Sequence, residues 1–202
     1  MSTEPSTEAK AKPFISLWWA LYAIFAIGYP LFSMLTERPP LPLLGQVDPF
    51  VLTKQDGEPY HYGNDDRPVV INFIFTRCPD VCPLLSAKMA EIQKRVPTED
   101  ALLISISVDP AYDQPNVLLE YGKQYDANFD RWFFLTGEES QVQKIIANFQ
   151  VMYERIETND NAPPNIAHSE RFLLLDQFGE IRGIYDDDPH GLNQLITAID
   201  QL

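Results

Sequence analysis

Cysteine is nearly missing from this chain: there are two in 202 residues, beside three histidines. A closed zinc site would want four protein ligands, and without a third cysteine zinc is disfavoured. A domain of about 150 ordered residues buries roughly 70% of its unfolded surface, so the fold needs no disulfide to hold it together. Positive charge is scarce as well, with 15 Lys and Arg against 29 Asp and Glu and a net charge of −14. That balance argues against nucleic acid as a partner. The excess lies entirely in residues 37–202, which hold 13 positive and 27 negative side chains, because residues 1–36 carry two Lys and two Glu. No internal repeat and no low-complexity segment occurs. One acidic globular domain is therefore expected, its surface serving solubility and able to steer a basic partner or a cationic metal carrier.

Charge of either sign is absent from Pro13 to Thr36. As a helix, Phe14 to Leu35 would extend roughly 33 Å, enough to cross a bilayer, and Trp18, Trp19, Tyr22 and Tyr29 suit its interfaces. The run is too long for a signal-peptide core, and no small-residue cleavage site follows it. Lys10 and Lys12 precede it while Glu37 and Arg38 follow, which places the N-terminus in the cytoplasm by the positive-inside rule. Glu4 and Glu8, with no arginine before the span, argue against a mitochondrial transit peptide and for a bacterial inner-membrane protein whose remaining chain is periplasmic. The expected organisation is a cytoplasmic tail over 1–13, a transmembrane anchor over 14–35, a proline-containing tether over 36–49 and a globular domain over 50–202.

Both cysteines fall in Cys78-Pro79-Asp80-Val81-Cys82-Pro83, directly after Val69-Val70-Ile71-Asn72-Phe73-Ile74-Phe75. The latter is β-branched and aromatic, as expected of a strand buried on both faces of a parallel sheet. Each cysteine precedes a proline, which disfavours helix at the residue before it. The sequence therefore predicts a loop from Cys78 to Cys82, with Cys82 capping a helix over Leu84 to Arg95 and Pro83 at its first position. A thiol at the positive end of the helix dipole has its pKa lowered. A purely structural disulfide is the bland alternative, and a weak one: closing so small a loop contributes only about 2 kcal/mol. Two thiols so placed can close a redox ring or grip one soft metal.

Beyond this helix the pattern alternates. Ala101 to Val108 reads as a buried strand, Gln114 to Tyr125 as a helix, Arg131 to Leu135 as a strand and Glu138 to Phe149 as a helix. Phe172 to Leu175 and Ile181 to Tyr185 form a hairpin through Gln177-Phe178-Gly179-Glu180, and Gly191 to Leu202 closes as a helix. Earlier, Phe50 to Leu52 and Tyr60 to Tyr62 flank Asp56-Gly57 as another hairpin. The plan is α/β, a central sheet with parallel strands, helices on both faces and a hairpin at each end. Ligands of such sheets gather beyond the carboxyl ends of the parallel strands, where the cysteine loop and Asp109 both lie.

Phe75-Thr76-Arg77-Cys78-Pro79-Asp80-Val81-Cys82-Pro83, then Ser107-Val108-Asp109-Pro110, then His168-Ser169 before a strand ending in Asp176, resembles the Sco/SenC family of membrane-anchored, thioredoxin-like copper proteins. The resemblance runs from about Pro49 to the C-terminus, and the preceding anchor matches the family's topology. It implies a thioredoxin-like fold and one copper bound by Cys78, Cys82 and His168. Two soft thiolates and an imidazole suit Cu(I) in a roughly trigonal site and can hold Cu(II) with a harder fourth ligand. His61, in the early hairpin, and His190, at the start of the last helix, read as surface residues. Asp109 is either the turn residue that Asp-Pro commonly supplies or, as the family implies, a carboxylate near the metal that stabilises the oxidised ion or the groups that hold its ligands. Asp80 reads as shaping the loop. Arg77 stands where many relatives have histidine, and Ile166-Ala167 where an aspartate often precedes the late histidine.

The resemblance implies a metallochaperone that helps assemble the binuclear copper site of cytochrome c oxidase subunit II or a related copper protein, supplied by a periplasmic copper carrier or a thiol reductant. The other reading is a membrane-anchored thiol-disulfide oxidoreductase in which Cys78 and Cys82 are the catalytic redox pair, or a copper or redox sensor. Dithiol enzymes usually carry CxxC facing a cis-proline, and here the spacing is CxxxC, a histidine stands at the facing position, and Pro163 and Pro164 fall too early.

Overall fold

The apolar, β-branched runs of this chain become neighbouring strands of one mixed sheet. A computed structural model describes residues 15–36, 39–63, 66–79, 81–149, 153–156, 165–168 and 171–202, with residues 15–17, 20, 31–36, 153–156 and 165–168 described by backbone alone. The chain divides into two compact units, Met1–Pro40 and Leu41–Leu202.

In the first unit the helix α1 spans Ile15–Thr36. Its described aromatic side chains, among them Trp18, Trp19, Tyr22, Phe25 and Tyr29, are exposed. Among the described residues no helix is long and apolar enough to cross a membrane, so the expected anchor rests on the uncharged sequence of 14–35. The flanking charges Lys10, Lys12, Glu37 and Arg38 lie outside the described residues.

The second unit opens with β1 (Gly45–Gln46), β2 (Val51–Lys54), β3 (Pro59–His61) and β4 (Val69–Ile74). There follow α2 (Val81–Arg95), β5 (Leu102–Ser107), α3 (Pro115–Lys123), β6 (Trp132–Thr136) and α4 (Glu139–Asn148). It ends with β7 (Tyr153–Ile156), β8 (Asn165–His168), β9 (Arg171–Leu175), β10 (Glu180–Asp186) and α5 (Pro189–Ile199). The main sheet has the order β1-β10-β9-β4-β5-β6-β2-β3, and β7 pairs with β8 apart from it. β4, β5 and β6 are parallel, while β9, β10 and the β2-β3 hairpin attach antiparallel. Every residue of β4 and β5 is buried, which is why both are dominated by apolar residues, with only Asn72, Ser105 and Ser107 polar among them.

Helices cover both faces. In the sheet register Asn72, Ser105 and Phe134 stand side by side on one face, where Phe134 meets Tyr121 of α3. On the other face Phe73 packs edge-on against Phe149, the residue capping α4. β1 lies inside the stretch read as a tether and pairs with β10 through Gly45 and Gln46. β8, which ends at His168, pairs antiparallel with β7.

The cysteine helix requires a correction. It begins at Val81, not Leu84, so Cys82 and Pro83 stand inside its first turn. The first amide groups of a helix have no intrahelical acceptor, so a proline there forfeits no hydrogen bond. The last helix also starts earlier than expected, at Pro189, because Asp188 caps it by accepting from the Gly191 amide.

Candidate metal centre

Beyond the carboxyl end of β4 the chain turns sharply, and the Cys78 amide donates to the Phe75 carbonyl. This turn leaves Cys78 half-buried at the surface, while the first turn of α2 carries Cys82 fully beneath it. Cys78 and the Phe75 backbone both bear on the ionisation of Cys82. They are thiols rather than a disulfide.

Burial pushes the Cys82 thiol well up from its ordinary pKa; the Phe75 amide opposes the rise, while the neighbouring Cys78 and Asp113 reinforce it. The expectation that the helix dipole would depress this pKa is thus overturned. A dipole effect of about 0.3–1 kcal/mol at an exposed terminus is outweighed by the cost of ionising a group cut off from water.

The loop after β5 grips the cysteine turn from the side. Asp113, fully buried, accepts hydrogen bonds from the Thr76 amide at 3.1 Å, from the Thr76 hydroxyl, and from the Ser107 hydroxyl at 2.6 Å. Ser107 Oγ in turn accepts from the Asp109 amide. Burial raises the Asp113 pKa despite the hydrogen bonds from Ser107 and Thr76 that favour its charge, and Asp109 adds to the rise. Asp109, also fully buried, accepts from Arg77 Nη2 at 2.6 Å. Beneath the thiols the Tyr121 hydroxyl lies 2.9 Å from Ser86 Oγ and 3.4 Å from the Cys82 carbonyl oxygen.

Cys78, Cys82 and the Asp109 loop are therefore brought to one end of the parallel strands. His168 ends β8, its backbone in register with Tyr153 and three residues before β9 begins. Among the described residues no group of three or more His, Cys, Asp and Glu side chains is arranged to hold a metal. His61 and His190 are exposed, on β3 and at the start of α5. Asp80, Pro163 and Pro164 lie outside the described residues. Sequence reading did not single out Thr76 or Asp113; the available signal was a second aspartate four residues after Asp109, in a loop that follows a buried strand. The donor chemistry fits a soft ion, because two adjacent sulfurs, one accessible and one shielded, can both ligate as thiolates.

Comparison with known proteins places these features in a group. The family model for SCO1/SenC matches residues 44–202. The SCO1 protein homolog of Bacillus subtilis is 32% identical over 150 residues, covering 72% of this chain and 76% of its own. The structure of BsSco, a member of the Sco family of cytochrome c oxidase assembly proteins in which a disulfide switch has been identified, superposes with a TM-score of 0.68 at 27% identity, covering 81% of this chain and 97% of that one. Arabidopsis thaliana ScoI, solved with copper bound, superposes with a TM-score of 0.65 at 26% identity, covering 78% of this chain and 100% of that one. The shared architecture is the thioredoxin-like α/β fold with a mixed sheet.

Proposed function

We infer the function from one premise, that the chain belongs to the SCO1/SenC family. It is a copper metallochaperone, holding one copper through Cys78, Cys82 and His168 and assisting assembly of the binuclear copper site of cytochrome c oxidase subunit II or a related copper protein. The observation that carries this reading is the pair of unjoined thiols, one half-buried and one fully buried, at the carboxyl end of β4. Copper bound to Arabidopsis ScoI and the oxidase-assembly family of BsSco support it.

Copper is the cargo, and this chain's residues determine how it is taken and released. Cys78, being accessible, meets an incoming ion or an acceptor thiolate first. Cys82 must lose a proton that burial holds tightly, so loading releases protons and becomes tighter as pH rises. Three protein ligands leave one side open, where an acceptor thiolate or imidazole can bind before Cys78 lets go. The helix over 15–36, with its exposed aromatics and uncharged sequence, supports an inner-membrane anchor with the thiol domain in the periplasm. A periplasmic carrier or a thiol reductant would then supply copper or keep the pair reduced, since that compartment is oxidising.

The deciding experiment is an anaerobic Cu(I) titration of the reduced full-length chain in mild detergent against a competing chelator, beside Cys78→Ser, Cys82→Ser and His168→Ala. One tight copper per chain, lost with either serine variant and much weakened by the alanine, is expected. No tight binding by the reduced wild type would sink the reading. The second reading, thiol-disulfide exchange with a partner protein, is favoured by one observation: an accessible thiol beside a buried one is the arrangement of an attacking and a resolving cysteine.

A further inference from the structure

Two consecutive residues of the cysteine turn, Thr76 and Arg77, are each held by a carboxylate from the loop after β5: Asp113 takes Thr76 and Asp109 takes Arg77. The second pair fixes a cation on the residue that directly precedes Cys78 in the chain, for which copper ligation alone has no use. Arg77 Nη2 stands 2.6 Å from Asp109 Oδ2, with Asp109 fully buried and the Arg77 side chain 30% exposed. The guanidinium carbon lies 4.2 Å from the centre of the Tyr112 ring, a cation–π contact that fixes it from a second side. Arg77 Nε is buried without a hydrogen-bond partner, so the cation is held by the Asp109 contact and the ring. The residue that follows it is Cys78.

Resting on the copper reading above, we propose that Arg77, positioned by Asp109 and Tyr112, biases the site toward Cu(I), and that Asp109 is a positioning residue rather than a copper ligand. Two thiolates and a neutral imidazole around Cu(I) carry a net charge of −1, and around Cu(II) a net charge of zero. A cation fixed on the residue next to Cys78 in the chain stabilises the first relative to the second, by the same Coulomb rule that favours a carboxylate next to arginine. Asp109 opposes part of that effect, and its Oδ2 is engaged by Arg77. Removing the cation and removing the carboxylate must therefore shift the preference in opposite directions. A merely structural role would not produce that pair of signs.

The test measures Cu(I) and Cu(II) affinities of the full-length chain by chelator competition in wild type, Arg77→Met, Arg77→Lys and Asp109→Asn, with the EPR spectrum of each Cu(II) form. Arg77→Met is expected to raise the ratio of Cu(II) to Cu(I) affinity about tenfold, equivalent to about 59 mV off the one-electron potential. Asp109→Asn is expected to lower that ratio by a comparable factor with an unchanged EPR spectrum, and Arg77→Lys to stay within about threefold of wild type. Ratios that move in the same direction, or not at all, overturn the proposal, as does an altered EPR spectrum in Asp109→Asn, which would make Asp109 a ligand. Arg77→Met strands a buried carboxylate; should it fail to fold, the sign of Asp109→Asn and the retention by Arg77→Lys decide. A wild type that binds no copper sinks the copper reading and this inference together, whereas tight Cu(I) binding with an unmoved ratio overturns this inference alone.

Discussion

Cys78 and Cys82 are four residues apart in sequence but occupy different environments. Cys78 is half-buried at the mouth of the turn and Cys82 is fully buried in the first turn of α2, with burial also raising the Cys82 pKa. Alkylating reagents attack the thiolate, so access and ionisation act in the same direction. Iodoacetamide at neutral pH is expected to modify Cys78 at least about tenfold faster than Cys82 in the metal-free chain, read by peptide mass spectrometry. The two rates should converge in denaturant. Equal rates in the folded chain would contradict the geometry. Asp113 gives a second test at this scale. Its folded pKa is raised by burial above the ordinary carboxylate value, so the folded state holds the proton more tightly than the unfolded state. The associated stability is present below the ordinary carboxylate pKa and is lost as pH rises through the raised one. The stability of wild type minus that of Asp113→Asn, from urea unfolding at a series of pH values, is therefore expected to fall as pH rises across that interval. A difference that grows with pH would reverse the sign and sink the account.

The helices depend on local devices whose failure can be measured separately. Asp188 caps α5 by accepting from the Gly191 amide at 2.7 Å, and Asp188→Ala is expected to cost about 1 kcal/mol. Gly191 has a different constraint, because a Cβ there would collide with the Asp186 carbonyl oxygen. Gly191→Ala must displace the start of α5 from β10, and in urea unfolding it is expected to be the more damaging of the two; the reverse order would show that the close approach is not maintained. Such elements differed in how far the sequence disclosed them. Val69 to Ile74 and Leu102 to Ser107 were legible because strands buried on both faces are mostly apolar, the buried Asn72, Ser105 and Ser107 interrupting them too seldom to hide the run. The start of α2 was misread, since a proline reads as a boundary although the first turn accepts it without losing a hydrogen bond. β1 and the β7-β8 pair were missed for another reason. Two residues, or two short polar strands, carry no periodicity, and their pairing is decided by distant partners. The thiols were legible as chemistry, but the carboxylates of Asp109 and Asp113 reach the cysteine turn across more than thirty residues of chain, which no local pattern records.

For the whole molecule, the charge distribution and the division into two units give one testable consequence. Residues 1–36 carry two charges of each sign and residues 37–202 carry the entire net charge of −14, while the chain passes from the first unit to the second between Pro40 and Leu41. The uncharged run of 14–35 falls wholly within the first unit, and the thiols, the parallel strands and the carboxylate loop within the second. If the first unit anchors and the second handles copper, the two properties separate on cutting between them. If the uncharged sequence of 14–35 spans a bilayer as a helix of about 33 Å, it resists extraction, whereas a strongly acidic domain alone has no affinity for anionic lipid. Full-length chain expressed in a bacterium is therefore expected to stay in the membrane pellet after alkaline carbonate washing, and a chain lacking residues 1–38 to appear in the supernatant with its Cu(I) affinity within about threefold of the full chain. Release of the full chain by carbonate would refute the anchor. Retention of the shortened chain would shift membrane attachment to the thiol domain, and loss of its copper would show that the first unit contributes to the site.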